Sequence, residues 1–230
     1  VLVTGGTRCI GKAIAFAFAK KGARVAVLFR SDQVSADKTL AELEGTTHLA
    51  IKADVADADQ VKKALDDVIE SFGRLDIVVN NAGIGVYHPL PTTSYEDWQQ
   101  AWKQTIDANL IGPANICFCA AKQMIDQGGG RIVNITSRGA FRGEPTKAAY
   151  GASKAGLNSL SQSLAVALGE YKIFVGAVAP GFVNTELTAD RLNGPEGEQI
   201  KAQSPFNRVA EPEEVAHAVL FLASEGAEFS

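Results

Sequence analysis

Short apolar runs alternate with amphipathic stretches along the whole chain. The runs are rich in Val, Ile and Leu and nearly continuous in apolar residues, as is typical of strands buried on both faces of a sheet. They predict six strands, at residues 1–4, 24–29, 48–53, 75–80, 131–136 and 173–178. Helical composition predicts helices between and after them, at residues 13–20, 36–43, 57–72, 95–127, 148–171 and 211–223. This alternation indicates an α/β fold, a doubly wound parallel sheet with helices on both faces.

One long segment, residues 181–208, has loop composition, with three glycines and two prolines. A loop of that length in a compact domain is often a binding lid, although a plain surface excursion is the alternative. In open parallel sheets, ligands bind beyond the carboxyl ends of the strands. We therefore expect the site at that edge of the sheet, with residues 181–208 as a substrate loop.

The composition is that of one globular domain over residues 1–230, because 46% of the residues are hydrophobic and 21% are charged. The net charge is −4, and no basic run occurs, so neither a nucleic acid nor an anionic membrane is indicated as a partner. A small molecule or a second copy of the chain is the expected partner.

Three cysteines, Cys9, Cys117 and Cys119, suggest neither a disulfide framework nor a metal site. A reducing cytoplasm fits best, and no signal peptide or long apolar stretch opens the chain. The first residues already form an apparent strand, and the chain stops at Phe229-Ser230, just after an apparent helix. We expect both ends to be trimmed relative to the natural protein.

Tyr150 and Lys154 stand one helical turn apart in a predicted helix. Side chains at i and i+4 share one face, so the ammonium can lie near the phenol and lower its pKa into a useful range. Such a tyrosine can give or take a proton. Taken alone, the pair is more often a packed tyrosine and a solvated lysine, so the rest of the sequence must decide.

The first predicted strand leads into a glycine-rich turn, Thr4-Gly5-Gly6-Thr7-Arg8-Cys9-Ile10-Gly11-Lys12. Three interpretations are open. A triphosphatase phosphate loop needs a hydroxyl residue after Lys12, where Ala13 stands, and a tight turn without a ligand is the second. The third is a dinucleotide fingerprint whose middle glycine is Cys9; we expect this added bulk to weaken cofactor binding relative to glycine.

Several motifs in order resemble the short-chain dehydrogenase/reductase family over essentially the whole chain. They are Thr4-Gly5…Gly11, Asp54-Val55, Asn80-Asn81-Ala82-Gly83, Asn109, Ser137, Tyr150…Lys154 and Pro180-Gly181…Thr185. The resemblance implies a single Rossmann-type, NAD(P)-binding domain that usually continues into a seventh strand. It also implies a homodimer or homotetramer built on the helices near residues 95–127 and 148–171.

The resemblance implies a catalytic set of Tyr150 as proton donor, Ser137 as a second donor to the same substrate oxygen, Lys154 on the nicotinamide ribose, and Asn109 holding a water. It places the cofactor along four further segments. These are Gly5, Thr7, Arg8, Cys9, Ile10 and Gly11; Asp54 and Val55; Asn81, Ala82 and Gly83; and Pro180, Gly181, Val183 and Thr185. Asp54 has an alternative role as the cap of the helix near Asp57.

The end of the second predicted strand indicates which nicotinamide cofactor is used. NAD-specific relatives place an acid there, whereas this chain has Phe29 followed by Arg30 and Ser31. Arg8 in the glycine-rich turn supplies a second guanidinium that suits a phosphate. We expect NADPH to be preferred over NADH.

The substrate is less legible. The resemblance directs Ser137 and Tyr150 toward it, together with Arg138, Gly139, Phe141, Arg142, Phe182 and Leu187. Two classes are open, a 3-oxoacyl thioester on an acidic carrier protein and a small ketone, sugar or alcohol. Arg142, Lys147 and Lys172 are the basic residues expected to face a carrier, with uncharged residues 127–130 on another part of the rim. A protein that binds the cofactor without turnover is the rival function.

Overall fold

The computed structural model describes residues 1–228. Phe229 and Ser230, where we expect trimming at the carboxyl end, lie outside the described residues, and so does the side chain of Leu187. Within this part of the chain six parallel strands form one sheet, in the order β3-β2-β1-β4-β5-β6. The strands are β1 (Leu2–Thr4), β2 (Ala26–Phe29), β3 (Leu49–Lys52), β4 (Ile77–Asn80), β5 (Gly130–Ile135) and β6 (Ile173–Val178).

Helices cover both faces of the sheet, which confirms the predicted fold class. They are α1 (Cys9–Ala19), α2 (Gln33–Glu42), α3 (Ala58–Phe72), α4 (Tyr95–Ile106), α5 (Gly112–Gln127), α6 (Ala148–Leu168), α7 (Glu186–Asn193), α8 (Gly197–Lys201) and α9 (Pro212–Leu222). Each strand sends alternate residues to opposite faces, so Leu2 packs with α3 and α5 while its neighbour Val3 packs with α1 and α9. None of the helices in residues 1–228 is long and apolar enough to cross a membrane.

The strand order reverses between β1 and β4, because β2 and β3 extend the sheet to one side and β5 and β6 to the other. At such a reversal the loops after β1 and β4 diverge and leave a crevice at the carboxyl edge. The glycine-rich turn and the Asn-Asn-Ala-Gly segment are those two loops. The fold therefore puts both motifs at the crevice.

The predicted helix over residues 95–127 was wrong in one respect, because five residues in its middle, Asp107–Ile111, form a π-helical turn. A π turn inserts one extra residue into a helix and often occurs at a functional site. Here it carries Asn109, whose side chain is fully buried and turned toward the crevice. Hydrophobic periodicity continues through the turn, so the pattern alone does not reveal it.

The segment predicted as a loop, residues 181–208, contains two helices, α7 and α8. A reciprocal capping box starts α7. The Thr185 side chain accepts from the backbone N–H of Thr188, and the Thr188 side chain accepts from the backbone N–H of Thr185. The two ends of the segment are held together, because Val183 pairs with Ala210 in a parallel bridge. The segment is thus an ordered arm across the carboxyl edge, with Gly194 and Pro195 between its two helices and Gly197 at the start of α8.

Candidate active site

Side-chain-to-backbone bonds join the ends of β1 and β4. The Thr4 hydroxyl accepts from the backbone N–H groups of Asn81, at 3.0 Å, and Ala82, at 2.9 Å. In return the Asn81 amide donates to the carbonyl of Thr4 at 2.9 Å. Asn80, one residue earlier, is buried and donates to Asn134 of β5 at 2.8 Å. The first asparagine therefore supports the sheet, and the second holds the glycine-rich turn against the crevice.

The glycine-rich turn ends in a helix whose first N–H groups are left without a side-chain cap. Arg8 occupies the cap position of α1 and makes no cap bond, and no acid lies in the first turn. By contrast, Asp32, Asp57 and Ser94 cap α2, α3 and α4. Free N–H groups at a helix N-terminus suit an anion such as a pyrophosphate, and this N-terminus opens into the crevice.

Two backbone positions in this turn are left-handed. Gly5 has φ of 62°, which glycine adopts freely, and Cys9 has φ of 49°. A residue with a Cβ pays about 1–2 kcal/mol for that conformation. Cys9 therefore occupies a position that favours glycine on backbone grounds as well as for room. The partly buried Cys9 is also the first residue of α1, which starts four residues before the predicted helix.

The position of Lys12 argues against a triphosphatase phosphate loop. Its ammonium forms an ion pair with Glu42 of α2 at 2.7 Å and lies over the Phe16 ring at 5.2 Å. A phosphate-loop lysine points into the loop, whereas this one points along α1 and away from it. Together with the missing hydroxyl at Ala13, this leaves the dinucleotide fingerprint and the tight turn.

At the end of β2, the guanidinium groups of Arg8 and Arg30 are exposed on the same edge. Ser31 follows, and then Asp32, an acid that the sequence interpretation did not weigh. The Asp32 carboxylate accepts from the N–H and hydroxyl of Ser35, and these bonds, with the charge of Arg8, hold its pKa below the usual range. Asp32 is thus already engaged as the cap of α2.

At the end of β3, the two interpretations of Asp54 separate. Asp57 caps α3, since its carboxylate accepts from the N–H groups of Asp59 and Gln60 at 3.0 Å each. Among residues 1–228 the Asp54 carboxylate makes one bond, a local turn bond in which one oxygen accepts from Ala56 N at 3.0 Å. Its other oxygen is left for a ligand. Val55 is half-buried beside it, and its carbonyl is in close contact with Gly112.

Tyr150 and Lys154 lie on one face of α6, as the i and i+4 spacing predicts. The Lys154 ammonium is 5.9 Å from the centre of the Tyr150 ring and donates to the carbonyl of Ile135, at the end of β5, at 2.8 Å. Lys154 is only 4% exposed, and burial lowers the pKa of its ammonium to about 8. Gly83 approaches this ammonium closely, so the Asn-Asn-Ala-Gly segment forms the opposite wall.

The phenol of Tyr150 differs from the sequence-based expectation. Burial raises its pKa, hydrogen bonding with the neighbouring Ser137 hydroxyl opposes that shift, and the Glu144 carboxylate adds to it. Burial is the largest of these causes, so the net shift is upward, opposite to the direction expected from Lys154.

Ser137, the second donor that the resemblance implies, also serves as a turn cap in this structure. It caps the short turn Arg138–Ala140, since its oxygen accepts from Gly139 N at 3.0 Å. That bond uses a lone pair and leaves the hydroxyl hydrogen free to donate. The hydroxyl lies beside the Tyr150 phenol, so both O–H groups can converge on one ligand oxygen.

Asn109 connects the walls of the crevice. Its amide makes two bonds of 2.8 Å to the backbone of Ile84, one to the N–H and one to the carbonyl. It also donates to Ser153 at 3.1 Å, and Ser153 donates to the carbonyl of Tyr150 at 2.8 Å. These bonds compensate for the poor helix propensity of an asparagine inside a helix.

His88 is a buried residue of this site that the sequence interpretation missed. Its Nε2 accepts from Ala149 N at 3.2 Å, and its Nδ1 lies 2.9 Å from the carbonyl of Val86. A single tautomer, with the proton on Nδ1, satisfies both bonds. It fixes the first turn of α6 directly before Tyr150. A lone histidine before a proline gives no periodic signal, so only the tertiary contact reveals it.

The loop after β6 forms the far wall. Arg138 N donates to the carbonyl of Pro180 at 2.9 Å, which holds this loop against the Ser137 turn. Gly181 has open space on its side-chain face, since the nearest atom to an added Cβ is 3.8 Å away. Val183 is buried in its bridge, and the hydroxyl of Thr185 is engaged in the cap of α7.

The basic and apolar residues expected near the substrate lie in two places, beside Ser137 and beside Gly85. Arg138, Gly139, Arg142 and Phe182 surround the mouth beside Ser137, and Lys147 lies close to Gly85 and the Tyr150 ring. Phe141 follows the Ser137 turn and is 74% exposed.

Lys172 and residues 127–130 do not belong to this rim, and their expected placement was wrong. They precede β6 and β5, so they lie at the amino edge of the parallel sheet, opposite the crevice. A cavity of about 1030 Å³ lies at that edge, lined by Asp76, Gly129, Arg131 and Lys172 among others, and is remote from Tyr150. In residues 1–228 no cluster of three His, Cys, Asp or Glu residues is placed to hold a metal.

Comparison with known proteins finds relatives over almost the whole chain. A family model described as Enoyl-(Acyl carrier protein) reductase matches residues 5–230. A 3-oxoacyl-[acyl-carrier-protein] reductase from Synechocystis sp. is 40% identical over 228 residues, which cover 98% of this chain and 89% of the relative. The chain belongs to the short-chain dehydrogenase/reductase family.

Other members differ in the substrate that their names give. A D-threitol dehydrogenase from Mycolicibacterium smegmatis is also 40% identical, over 98% of this chain and 86% of that protein. The solved structure of a short-chain type dehydrogenase/reductase from Mycobacterium ulcerans is 31% identical, with a TM-score of 0.92 over 100% of this chain and 84% of that one. The family thus fixes the fold and the oxidoreductase type, and the pocket must fix the substrate.

The buried ammonium of Lys154 makes stability depend on pH. Its pKa is about 8 in the folded chain against an ordinary value of 10.5, so between these pH values only the unfolded chain keeps the proton. The free energy of unfolding of the wild type should therefore rise with pH in that window. We expect the stability of Lys154→Met relative to wild type to fall by up to about 3 kcal/mol across it.

Urea unfolding at a series of pH values measures this difference. Lys122→Met, which removes an exposed lysine of α5, is the matched control, and its difference from wild type should stay constant. A difference for Lys154→Met that does not vary with pH would contradict the buried, low-pKa ammonium.

Proposed function

We propose that the chain is an NADP(H)-dependent oxidoreductase that interconverts a carbonyl and a secondary alcohol by hydride transfer. The observation that carries this proposal is the convergence of the Tyr150 and Ser137 hydroxyls beside the buried Lys154 ammonium. Two neighbouring O–H groups suit an oxygen that gains negative charge as a carbonyl is reduced. The hydride itself is supplied by the nicotinamide when it is bound.

The residues of the crevice fit a dinucleotide. The uncapped N-terminus of α1 would bind the pyrophosphate. The second carboxylate oxygen of Asp54 would accept from the adenine amino group, and Val55 would pack against the adenine ring. Ala82 and Gly83 would lie along the adenosine ribose. The open face of Gly181, with Pro180, Val183 and Thr185, would meet the nicotinamide.

The protein's own part in the reaction is to place and move a proton. Tyr150 would give its proton to the carbonyl oxygen during reduction and take it back in the reverse direction. Ser137 would donate to the same oxygen, because its lone pair is already bonded to Gly139 N. Lys154 would bind the nicotinamide ribose, and a bound cofactor would bring further charge and hydroxyl groups to the phenol.

Asn109 supports the reaction through its bonds to the Ile84 backbone and to Ser153. We propose that Asn109 helps to hold a water that links Lys154 to solvent. The space between Gly83, the Asn109 amide and the Lys154 ammonium is narrow, since a Cβ on Gly83 would lie 3.2 Å from the Asn109 amide oxygen and 3.4 Å from the ammonium. Glycine at position 83 therefore leaves this space free of a side chain.

Two substrate classes are compatible with the site, a 3-oxoacyl thioester and a small ketone, sugar or alcohol. The name of the Synechocystis relative favours the first, and the name of the threitol dehydrogenase favours the second at equal identity. Arg142 and Lys147 are at the mouth, where they would face a carrier protein. We further propose a homodimer or homotetramer built on α4, α5 and α6, whose exposed apolar residues include Phe118 and Val166.

Tyr150→Phe should reduce the rate of NADPH oxidation by about a hundredfold or more with every carbonyl that the wild type accepts. The reason is loss of the proton donor, so NADPH affinity should change little. Loss of NADPH absorbance against a panel of 3-oxoacyl thioesters, ketones and sugars measures the rate, and fluorescence titration measures the affinity.

Tyr171→Phe, at the amino edge of the sheet, is the matched control and should retain full activity. Full activity in Tyr150→Phe would remove the proposed proton donor. A wild type that binds NADPH but turns over none of the panel would favour the rival function, a cofactor-binding protein without turnover.

Replacing both Arg8 and Arg30 with Ala should weaken NADPH binding by about tenfold or more and leave NADH binding nearly unchanged. The variant would lose the two guanidinium groups that contact the extra phosphate of NADP, the group that distinguishes the two cofactors. Titration with each cofactor measures both dissociation constants. Lys20→Ala, at the opposite end of α1, controls for overall charge. Equal efficiency of the wild type with NADH and NADPH would refute the assignment of NADP.

Cys9→Gly should tighten NADPH binding. Glycine relieves the left-handed strain at φ of 49° and removes the Cβ from the turn that would carry the pyrophosphate. The measurement is the ratio of the NADPH dissociation constants of the wild type and Cys9→Gly. The control is Cys119→Ala, which removes a thiol inside α5 without placing a glycine in that helix. An unchanged constant for Cys9→Gly would mean that the cysteine side chain does not hinder the cofactor.

A further inference from the structure

Two arginines at the mouth of the site share one neutral acceptor. Arg138 donates to the side-chain oxygen of Gln203 at 2.8 Å, and Arg142 donates to the same oxygen at 3.3 Å. Neither guanidinium has a carboxylate within 4.0 Å among residues 1–228. A guanidinium has five N–H donors, so most of this donor capacity is free.

The charges around this pair are predominantly positive. Burial lowers the pKa of Arg138, and the neighbouring Arg142 and Arg191 lower it further, while the Glu144 carboxylate opposes them. Arg191 is paired with Glu196 at 2.9 Å, and Glu144 packs against Gly139. Holding like charges together is unfavourable unless an anion joins them.

The pair also lies where a substrate would pass. Arg138 directly follows Ser137, and its side chain runs beside Gly181 and lies 4.5 Å from the centre of the Phe182 ring. Gln203 reaches the same place from the ordered arm, just after α8. The shared amide oxygen therefore lies between the wall that carries Ser137 and the arm over residues 181–208.

Resting on the function proposed above, we propose that Arg138 and Arg142 bind an oxyacid group of the substrate, a carboxylate or a phosphate, in place of the Gln203 amide oxygen. Planar guanidinium groups bind such oxygens through paired, charge-assisted bonds. The substrate is then a small oxo acid or hydroxy acid, or a phosphorylated ketone. Its carbonyl would lie at Ser137 and Tyr150, with its acid group toward the arm.

A binding experiment tests the pair without turnover. Calorimetric titration with malonate and with inorganic phosphate should detect binding of at least one of them to the wild type. The one that binds identifies the acid group as carboxylate or phosphate. Absence of binding by both at high millimolar concentration would overturn the proposal. Because neither probe reacts, this arm is informative even if no carbonyl is turned over.

Three variants locate the binding. Arg142→Gln removes an exposed guanidinium and should weaken anion binding by about tenfold, as expected for loss of one charge-assisted contact. Gln203→Glu puts a carboxylate at the shared acceptor, where it should pair with both arginines and exclude the probe to a similar extent. Arg74→Gln, which removes a guanidinium paired with Asp76 at the amino edge of the sheet, is the matched control. Equal anion affinity in the wild type, Arg142→Gln and Gln203→Glu would contradict the site.

A kinetic comparison then assigns the anion to the substrate. Each oxo acid is compared with its neutral amide, acetoacetate with acetoacetamide for example, and phosphorylated with free dihydroxyacetone. We expect the acid to be preferred, and we expect Arg142→Gln and Gln203→Glu to raise its KM about tenfold with little change in kcat. Turnover of neutral and acidic partners with equal kcat/KM would overturn the inference while leaving the proposed reaction intact.

Discussion

The site depends on one set of contacts, the two bonds between the Asn109 side chain and the backbone of Ile84. They join the π turn after α4 to the loop after β4, two segments that the fold brings together from 25 positions apart in the chain. Through Ser153 the same amide reaches the backbone of Tyr150, so three elements are fixed by one buried side chain. A buried amide that bonds three partner groups is costly to disturb, because each group left unpaired would cost about 1–3 kcal/mol.

The π turn follows from this constraint. One extra residue rotates the helix beyond it by about 100° about the axis, since each residue of a regular α-helix turns by that angle. The wider π turn holds Asn109 where its amide reaches the loop after β4. Fold and site are thus reconciled by a local irregularity, at a position where asparagine has poor intrinsic helix propensity.

The extent to which this could be predicted from the sequence follows the range of the interactions. The strands and most helices depend on local periodicity, and the spacing of Tyr150 and Lys154 fixes their shared face. The charge of Lys172 says nothing about its edge of the sheet, whereas its place directly before the predicted strand at residues 173–178 assigns it to the amino edge. The contacts of His88 and the convergence of Arg138 and Arg142 on Gln203 are also long-range, spanning 61 to 65 positions, and leave no periodic trace.

The cations of this site differ in their surroundings, and the difference suits them to different roles. Lys154 is buried, and burial lowers the pKa of its ammonium to about 8. Arg138 and Arg142 lie nearer to solvent, and each presents a planar guanidinium with several N–H donors. Under the proposed function, the buried ammonium would serve the proton transfer at Tyr150, and the unused guanidinium donors would hold an anion. The two kinds of cation, one against β5 and the other against the arm, would then divide chemistry from recognition within a single crevice.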